Sequence, residues 1–400
     1  MMKRVFCLLA VLLLLAATVP GLAVTHLNPA EDRGITPADT DLNPVIPGES
    51  PTTGRKLSDI VPANPDYVGL AVTGRYLPML VQIDNTDNGA RNRAPWGAAS
   101  ADIIYETPLR REGQTRISLL FSDLIPDDAG PVRSARLGHV WLREEWGAGF
   151  LFYGQQEYPM TNVLDEFSIL GASKSGLLFS GTEGKKKWSG FYYKRKKLVS
   201  PHDKGANVAA MAKLVDEAYT APNHTWLFTD EPAQGDEATT IMVDWGRKEY
   251  YAEYRWSPTV KRYLRYVHSG ENLVYADYDS NESVTFSNII IQWTDVDWVT
   301  RDAPVTRNTG DATFFTSYGG GNFVAQGNAD FFMNGVHVAG YWKRDGMGSR
   351  TVYYGPDGQE IRLQRGRTMV IMFPAVERQI RGAKQAPEII SDVYRSVSYK

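Results

Sequence analysis

Five short runs of this chain are apolar almost without interruption, and they constrain its architecture before any other feature does. Leu77–Ile83, Ala101–Thr107, Arg116–Phe121, Gly149–Gly154 and Gly176–Ser180 each have the length of a strand. Several are apolar on both faces, which a strand tolerates when its sheet is covered on both sides. Helical periodicity appears at two places between and after them. One helix is expected to begin near Ser134, with Leu137, Val140 and Trp141 on one face; another runs from Asn207 to about Tyr219, with Val208, Met211, Ala212 and Val215 at helical spacing. Residues 58–222 therefore read as an N-terminal α/β domain with a mixed sheet.

From Thr225 the texture changes to short alternating stretches rich in Tyr, Val and Trp, such as Tyr251–Trp256, Lys261–Val267 and Leu273–Tyr278. Antiparallel strands account for that pattern. Asn334-Gly335 and Asp357-Gly358 each lie between two such stretches, and both dipeptides favour positive φ and so predict tight hairpins. Residues 223–376 are expected to form a β-rich C-terminal domain that closes with Met369–Pro374, leaving 377–400 as a polar tail without assigned structure. The expected fold class is thus α+β. A composition of 43% hydrophobic and 12% aromatic residues is enough to build a core for each part.

The N-terminus has a different character. Lys3 and Arg4 precede an apolar stretch from Val5 to Val19, and Pro20-Gly21 interrupts it short of the roughly twenty residues a spanning helix needs. Residues 1–23 read as a signal peptide cleaved after Ala23, with an uncleaved signal anchor as the alternative. No transmembrane segment is expected after cleavage. Cys7, the single cysteine, lies inside the apolar stretch, so the mature chain has no thiol for a nucleophile, a disulfide or a metal site. Residues 24–57, with Pro29, Pro37, Pro44, Pro47 and Pro51 and few apolar side chains, are expected to be a disordered spacer with a reach of about 30 Å. A formal net charge of −3 and an exported location both argue against nucleic acid.

Chemistry concentrates at Gly130-Pro131-Val132-Arg133-Ser134-Ala135-Arg136. Ser134 is suited to cap the following helix, and free N–H groups at a helix start attract an anion. Arg133 and Arg136 add guanidinium donors, and cations at that end oppose the helix dipole unless an anion offsets them. The offset has an internal alternative. Asp102 and Glu106 share one face of their strand, so either acid is a candidate partner for Arg116, Arg133 or Arg136. Asp102 and Glu106 do not suit a glycosidase pair, because four residues of strand separate them by roughly 13 Å.

Two further features carry charge. Lys185–Lys197 holds seven cations interleaved with Trp188, Phe191, Tyr192 and Tyr193, a composition suited to teichoic acid, anionic lipid head groups or glycan, and equally to a solvated loop with ordinary aromatic packing. His202 adjoins Asp203, which admits a general base as well as a structural histidine. No metal-spaced histidine pair, serine elbow, phosphate-binding glycine loop or dinucleotide fingerprint is present. No cofactor, metal site or catalytic residue is assigned.

The order and spacing of Leu77–Asn85, Ala90-Arg91, Ala101–Glu106, Thr115-Arg116, Gly130–Arg136 and Ser200-Pro201-His202 resemble the YerB-like family of bacterial envelope lipoproteins. Gly340–Lys343, Tyr354–Gly358 and Gly366-Arg367-Thr368 through Phe373-Pro374 resemble its C-terminal half. The resemblance covers nearly all of 77–374. It implies an extracytoplasmic two-domain protein without an established activity. The chain departs from the family in lacking a lipobox cysteine and in placing Arg110-Arg111-Glu112-Gly113-Gln114 where the approach to Thr-Arg is usually acidic and Gly-rich.

These readings converge on a non-catalytic envelope module. Its ligand is an anionic wall polymer or a membrane protein partner, held by Arg116, Arg133, Ser134 and Arg136 with Asp84, Asn85, Asp102, Glu106 and His202. The alternative is a metal-assisted enzyme acting on phosphate-linked envelope glycopolymer, with Asp84 and Asp102 holding the metal. Oligomeric state stays open.

Overall fold

The structure is a computed structural model that describes residues 42–85, 95–158, 161–182, 185–188, 190–267, 273–300, 311–314, 318–319, 322–323, 325–344, 348–381, 388–389 and 395–400. The expected signal peptide and the first part of the expected spacer lie outside them. Among the described residues no helix is long and apolar enough to cross a membrane.

Strands dominate the described residues, so the chain is strongly β-rich and the expected α+β class holds only in part. The five apolar runs become β1 (Met79–Asp84), β2 (Ile103–Arg110), β3 (Gln114–Phe121), β4 (Gly149–Phe152) and β5 (Leu178–Ser180). Helix α1 (Leu137–Trp146) follows β3, and α2 (Val163–Ile169) lies between β4 and β5. A two-stranded hairpin, β6 (Tyr192–Lys194) and β7 (Lys204–Ala206), precedes α3 (Val208–Ala212). That last helix is capped by the Asn207 side chain as the sequence predicts, yet it ends well before Tyr219.

The second half supplies β8 (Leu227–Thr229), β9 (Asp236–Glu237), β10 (Thr240–Asp244), β11 (Ala252–Ser257), β12 (Arg262–Val267), β13 (Asn288–Thr300), β14 (Asp311–Phe314), β15 (Ala325–Met333) and β16 (Val336–Arg344). β17 (Val352–Tyr354), β18 (Arg362–Gln364), β19 (Thr368–Arg381) and β20 (Ser396–Tyr399) complete it. The β15–β16 hairpin turns on Asn334 and Gly335 with φ of 56° and 79°, the pair of positive values that a two-residue turn of this kind requires. A Cβ at Gly335 would also stand 2.8 Å from the Trp256 ring. Asp357-Gly358 lies instead in a wider turn in which the Gly355 N–H donates to the Gln359 carbonyl, and β18 leaves it to pair with β8.

Both halves contribute to one 13-stranded sheet. β1 pairs antiparallel with β3 and parallel with β4, which pairs parallel with β5. β3 pairs antiparallel with β2. β19, from the end of the chain, is parallel to β2 on one side and to β13 on the other, and β15, β16 and β9 continue the sheet from β13. Helices α1 and α2 cover one face, where Leu80, Ile103, Leu120 and Phe150 meet Val140 and Trp141. The opposite face, with Val81, Ile104 and Leu119, is covered by α3 and by a second sheet built on β10, β11, β12 and β20. Part of the expected C-terminal tail is therefore a strand, since β20 pairs with β10.

The expected spacer does not extend to residue 57. Ser50, Thr52, Thr53 and Gly54 are buried, and this strap ties the two halves together. The Gly366 N–H donates to the Thr53 carbonyl, Trp226 N–H to the Pro51 carbonyl, and Arg365 pairs with Glu49 at 2.8 Å. Its polar side chains find acids waiting, which is how a proline-rich segment gains enough contact to order.

Candidate functional site

The Gly130–Arg136 segment is laid along β1. The Asp84 N–H donates to the Pro131 carbonyl, and the Arg133 N–H donates to the Gln82 carbonyl, at 2.9 and 2.8 Å. A Cβ at Gly130 would overlap the Trp96 ring and the Lys204 carbonyl, so glycine is what lets the segment approach. This path delivers Arg133 to the carboxyl end of β1, where Asp84 stands in register with Arg116 of β3. Alternation along the two strands puts Asp84 and Arg116 on the face of Leu80 and Leu120, under α1. The carboxyl ends of β1 and its parallel neighbours meet the start of a helix here, the usual position for a ligand in such sheets.

Asp84 is the centre of the cluster. Its Oδ2 contacts His202 Nδ1 closely and lies 3.3 Å from Arg133 Nε, while Oδ1 lies 3.9 Å from Arg116 Nη1. Burial works to raise the Asp84 carboxyl, but the His202 hydrogen bond and the charges of Arg116 and Arg133 outweigh it and hold the group below its ordinary range. His202 reaches the site because Val132 N–H donates to the Lys204 carbonyl, anchoring the loop between β6 and β7.

Arg116, like Arg265 on the opposite face, is buried with part of its guanidinium unmatched. It is 3% exposed, and neither its Nε nor its Nη1 has a hydrogen-bond partner. Burial pushes its guanidinium down to about 9; Asp84 opposes the shift, while Arg133 and Arg136 reinforce it. Charged groups are normally withdrawn from water only with their hydrogen bonds satisfied. Arg133 keeps 23% of its side chain exposed, and Arg136 is partly exposed, so the cluster opens to solvent on their side.

The helix start differs from the sequence expectation. Ser134 is not the cap; its hydroxyl donates to the Tyr153 carbonyl at 3.3 Å, and Arg136 occupies the cap position. The Arg136 N–H donates to His139 Nδ1 at 3.0 Å, and His139 Nε2 faces the Thr107 hydroxyl at 3.1 Å. Nδ1 is thus the acceptor, which places the ring proton on Nε2. Burial, then Arg116 and Arg136, keep this imidazole well below its ordinary pKa and so neutral. His139 escaped the sequence reading because its signal, a side-chain acceptor three residues past the cap, appears only when Arg136 is taken as the cap.

The two strand acids proposed as internal partners of these arginines go elsewhere. Glu106 faces the opposite side of the sheet, fully buried, where it accepts from Arg265 at 2.9 Å, from Asn85 at 3.2 Å and from Thr115 at 2.8 Å. Asn85 therefore belongs to that cluster as well. Asp102 sits level with Leu120 and Leu80, about 13 Å along the sheet from Asp84 at 3.3 Å per residue. Its Oδ2 accepts from the Ser122 N–H and hydroxyl, the Asp123 N–H and the Thr52 hydroxyl of the strap. Burial and the neighbouring Asp123 raise the Asp102 carboxyl well above its usual range. Asp84 and Asp102 thus cannot share a metal, and no group of three metal-ligating side chains occurs among the described residues.

Within the basic stretch, Trp188 is buried and Tyr192 packs against the core. Their rings are taken up by ordinary packing and are not presented for stacking on a sugar. Arg195 is held between the rings of Trp96 and Tyr278, at 4.0 and 5.6 Å, and pairs with Asp128 and Asp279.

Residues 69–221 match the family described as "Protein of unknown function (DUF3048) N-terminal domain", and residues 241–370 match its C-terminal domain. Over 214 residues the chain is 25% identical to YerB of Bacillus subtilis (strain 168), a protein named as a lipoprotein. That match covers 51% of this chain and 59% of YerB, so it spans about three fifths of the relative's length. The crystal structure of the YerB protein from Bacillus subtilis matches with a TM-score of 0.59 at 19% identity, covering 81% of this chain and 96% of that one. The fold is shared.

Proposed function

This chain belongs to the two-part DUF3048 family of proteins of unknown function, and from that premise we propose that it is a non-catalytic envelope module that binds an anionic group of a wall component or membrane partner. The site is Arg116, Arg133 and Arg136 around Asp84 and His202. The observation that carries this reading is the Arg116 side chain, buried with Nε and Nη1 unmatched beside Asp84 while Arg133 and Arg136 add like charge. Planar guanidinium edges offer paired donors to phosphate or carboxylate oxygens. The α1 start adds its dipole, which disfavours the cations until an anion joins them. An envelope setting agrees with a relative named as a lipoprotein.

Calorimetric titration with inorganic phosphate at low salt tests the site. Saturable binding at one site is expected, weakened at least about tenfold, or about 1.4 kcal/mol, in Arg133→Ala/Arg136→Ala. If phosphate and acetate both produce no saturable heat, the arginines are not an anion site.

A further inference from the structure

The hairpin that supplies His202 also carries three exposed lysines. Lys194 ends β6, and Lys196 and Lys197 follow within the loop that returns through His202 to β7. All three are exposed. The acids around this loop are already engaged: Asp203 pairs with Lys204 at 2.7 Å, and Asp128 and Asp279 hold Arg195. No acid pairs with Lys194, Lys196 or Lys197 among the described residues. The loop is not free to wander, since Arg195 N–H donates to the Asp203 carbonyl, Leu198 N–H to Arg195 and His202 N–H to Val199. These lysines are therefore held on the same ordered hairpin that brings His202 to Asp84, and they add positive charge outside the buried cluster.

We propose that the ligand is a linear polyanion with repeated phosphate charges. One group seats on Arg116, Arg133 and Arg136, and the following groups run over Lys194, Lys196 and Lys197. This rests on the anion-binding reading of the arginines. A single small anion gives the lysines nothing to do. A bilayer holds its head groups in a plane and cannot lower one to Arg116, which is 3% exposed beneath its neighbours, whereas a thin chain can. Each added phosphate contact releases counterions, so affinity for such a chain rises with its length and falls steeply with salt.

Linear inorganic polyphosphate and monomeric phosphate are titrated into the full chain at about 50 mM and about 200 mM salt. Polyphosphate is expected to bind at least tenfold tighter than phosphate, with a steeper loss in salt. Lys194→Ala/Lys196→Ala/Lys197→Ala is expected to lower polyphosphate affinity at least tenfold and flatten the salt slope by about two to three, leaving phosphate affinity unchanged. Arg133→Ala/Arg136→Ala is expected to weaken both ligands.

The outcomes separate. If phosphate binds and polyphosphate binds no tighter, or the lysine variant binds the polymer as the parent does, the polyanion inference is overturned and the arginine site stands. If polyphosphate binding survives the arginine variant and phosphate does not bind at all, the arginine site falls. Lysine-dependent binding to vesicles of phosphatidylglycerol, without polyphosphate binding, would replace the polymer with a membrane surface.

Discussion

Two buried charge clusters sit back to back on β1, β2 and β3, and they solve the same electrostatic problem differently. On the face under the second sheet, Glu106 accepts from one guanidinium, Arg265, and its remaining capacity is taken by Asn85 and Thr115. On the face under α1, one carboxylate, Asp84, stands between the guanidiniums of Arg116 and Arg133, and its contacts to them lack hydrogen-bond geometry. The first cluster is closed in charge. The second sets two guanidiniums, Arg116 and Arg133, against the one Asp84 carboxylate. Arg265 Nε and Nη1 lack hydrogen-bond partners just as Arg116 Nε and Nη1 do, so the two clusters differ in their balance of charge and not in hydrogen-bond completeness.

The contrast is breakable by mutation. The largest effect is expected from Arg265→Leu, which strands Glu106 inside the fold and costs about 3–5 kcal/mol in denaturant unfolding; a loss below about 1 kcal/mol would mean that the closed cluster is no brace. Asp84→Asn should cost about 2 kcal/mol without added anion, and millimolar phosphate should return much of it, because the stranded guanidiniums gain a partner. Indifference of this variant to phosphate would erase the distinction between the faces.

A third acid cluster sharpens the comparison through pH. Asp102 and Asp123 are raised, by burial first, so the native chain keeps a proton that the unfolded chain releases near the ordinary carboxyl value of about 3.9. Their contribution to stability is complete in acid and is lost as pH rises through the folded value. Asp84 is lowered and behaves oppositely: its contribution is present above the ordinary value and lost as pH falls through the folded one. Asp123→Asn should therefore gain about 1 kcal/mol at neutral pH and flatten the fall toward alkaline pH. A variant no more stable than the parent at pH 8 contradicts a raised Asp123 carboxyl. The smallest stability change belongs to Arg133→Ala, within about 1 kcal/mol because the side chain still meets solvent; its phosphate affinity should nonetheless fall about tenfold.

Much of the sheet was legible in the sequence because apolar runs report a covered strand directly. Leu77–Ile83 and Arg116–Phe121 differ from β1 and β3 by two residues at most. The register was not legible, and it decides the site: that Asp84 opposes Arg116, and that Glu106 looks away from it, depends on pairings between distant segments. The Gly130–Arg136 segment was recognisable by its chemistry, while its helix cap was misplaced by two residues because Ser134 satisfies the capping rule as well as any residue does. The strap at 49–57 was read as unfolded since its own composition buries little; its order comes from Asp102, Asp123 and Arg365, partners far away in the chain. Arg265 gave no local signal, as nothing near it announces Glu106.

The position of β19 has a bearing on how such a chain is made. Ribosomes deliver it from the N-terminus, and β2 must wait for residues 368–371, some 265 positions later, before its outer hydrogen bonds are met. Until then β2 offers an open margin, and the strap of residues 49–57 lacks its Gly366 and Arg365 contacts. Premature release of the first half would expose that margin to other copies. Slow assembly is the cost of drawing the centre of a sheet from both ends of a polypeptide, and a holding factor or delayed compaction during synthesis would serve such a topology well.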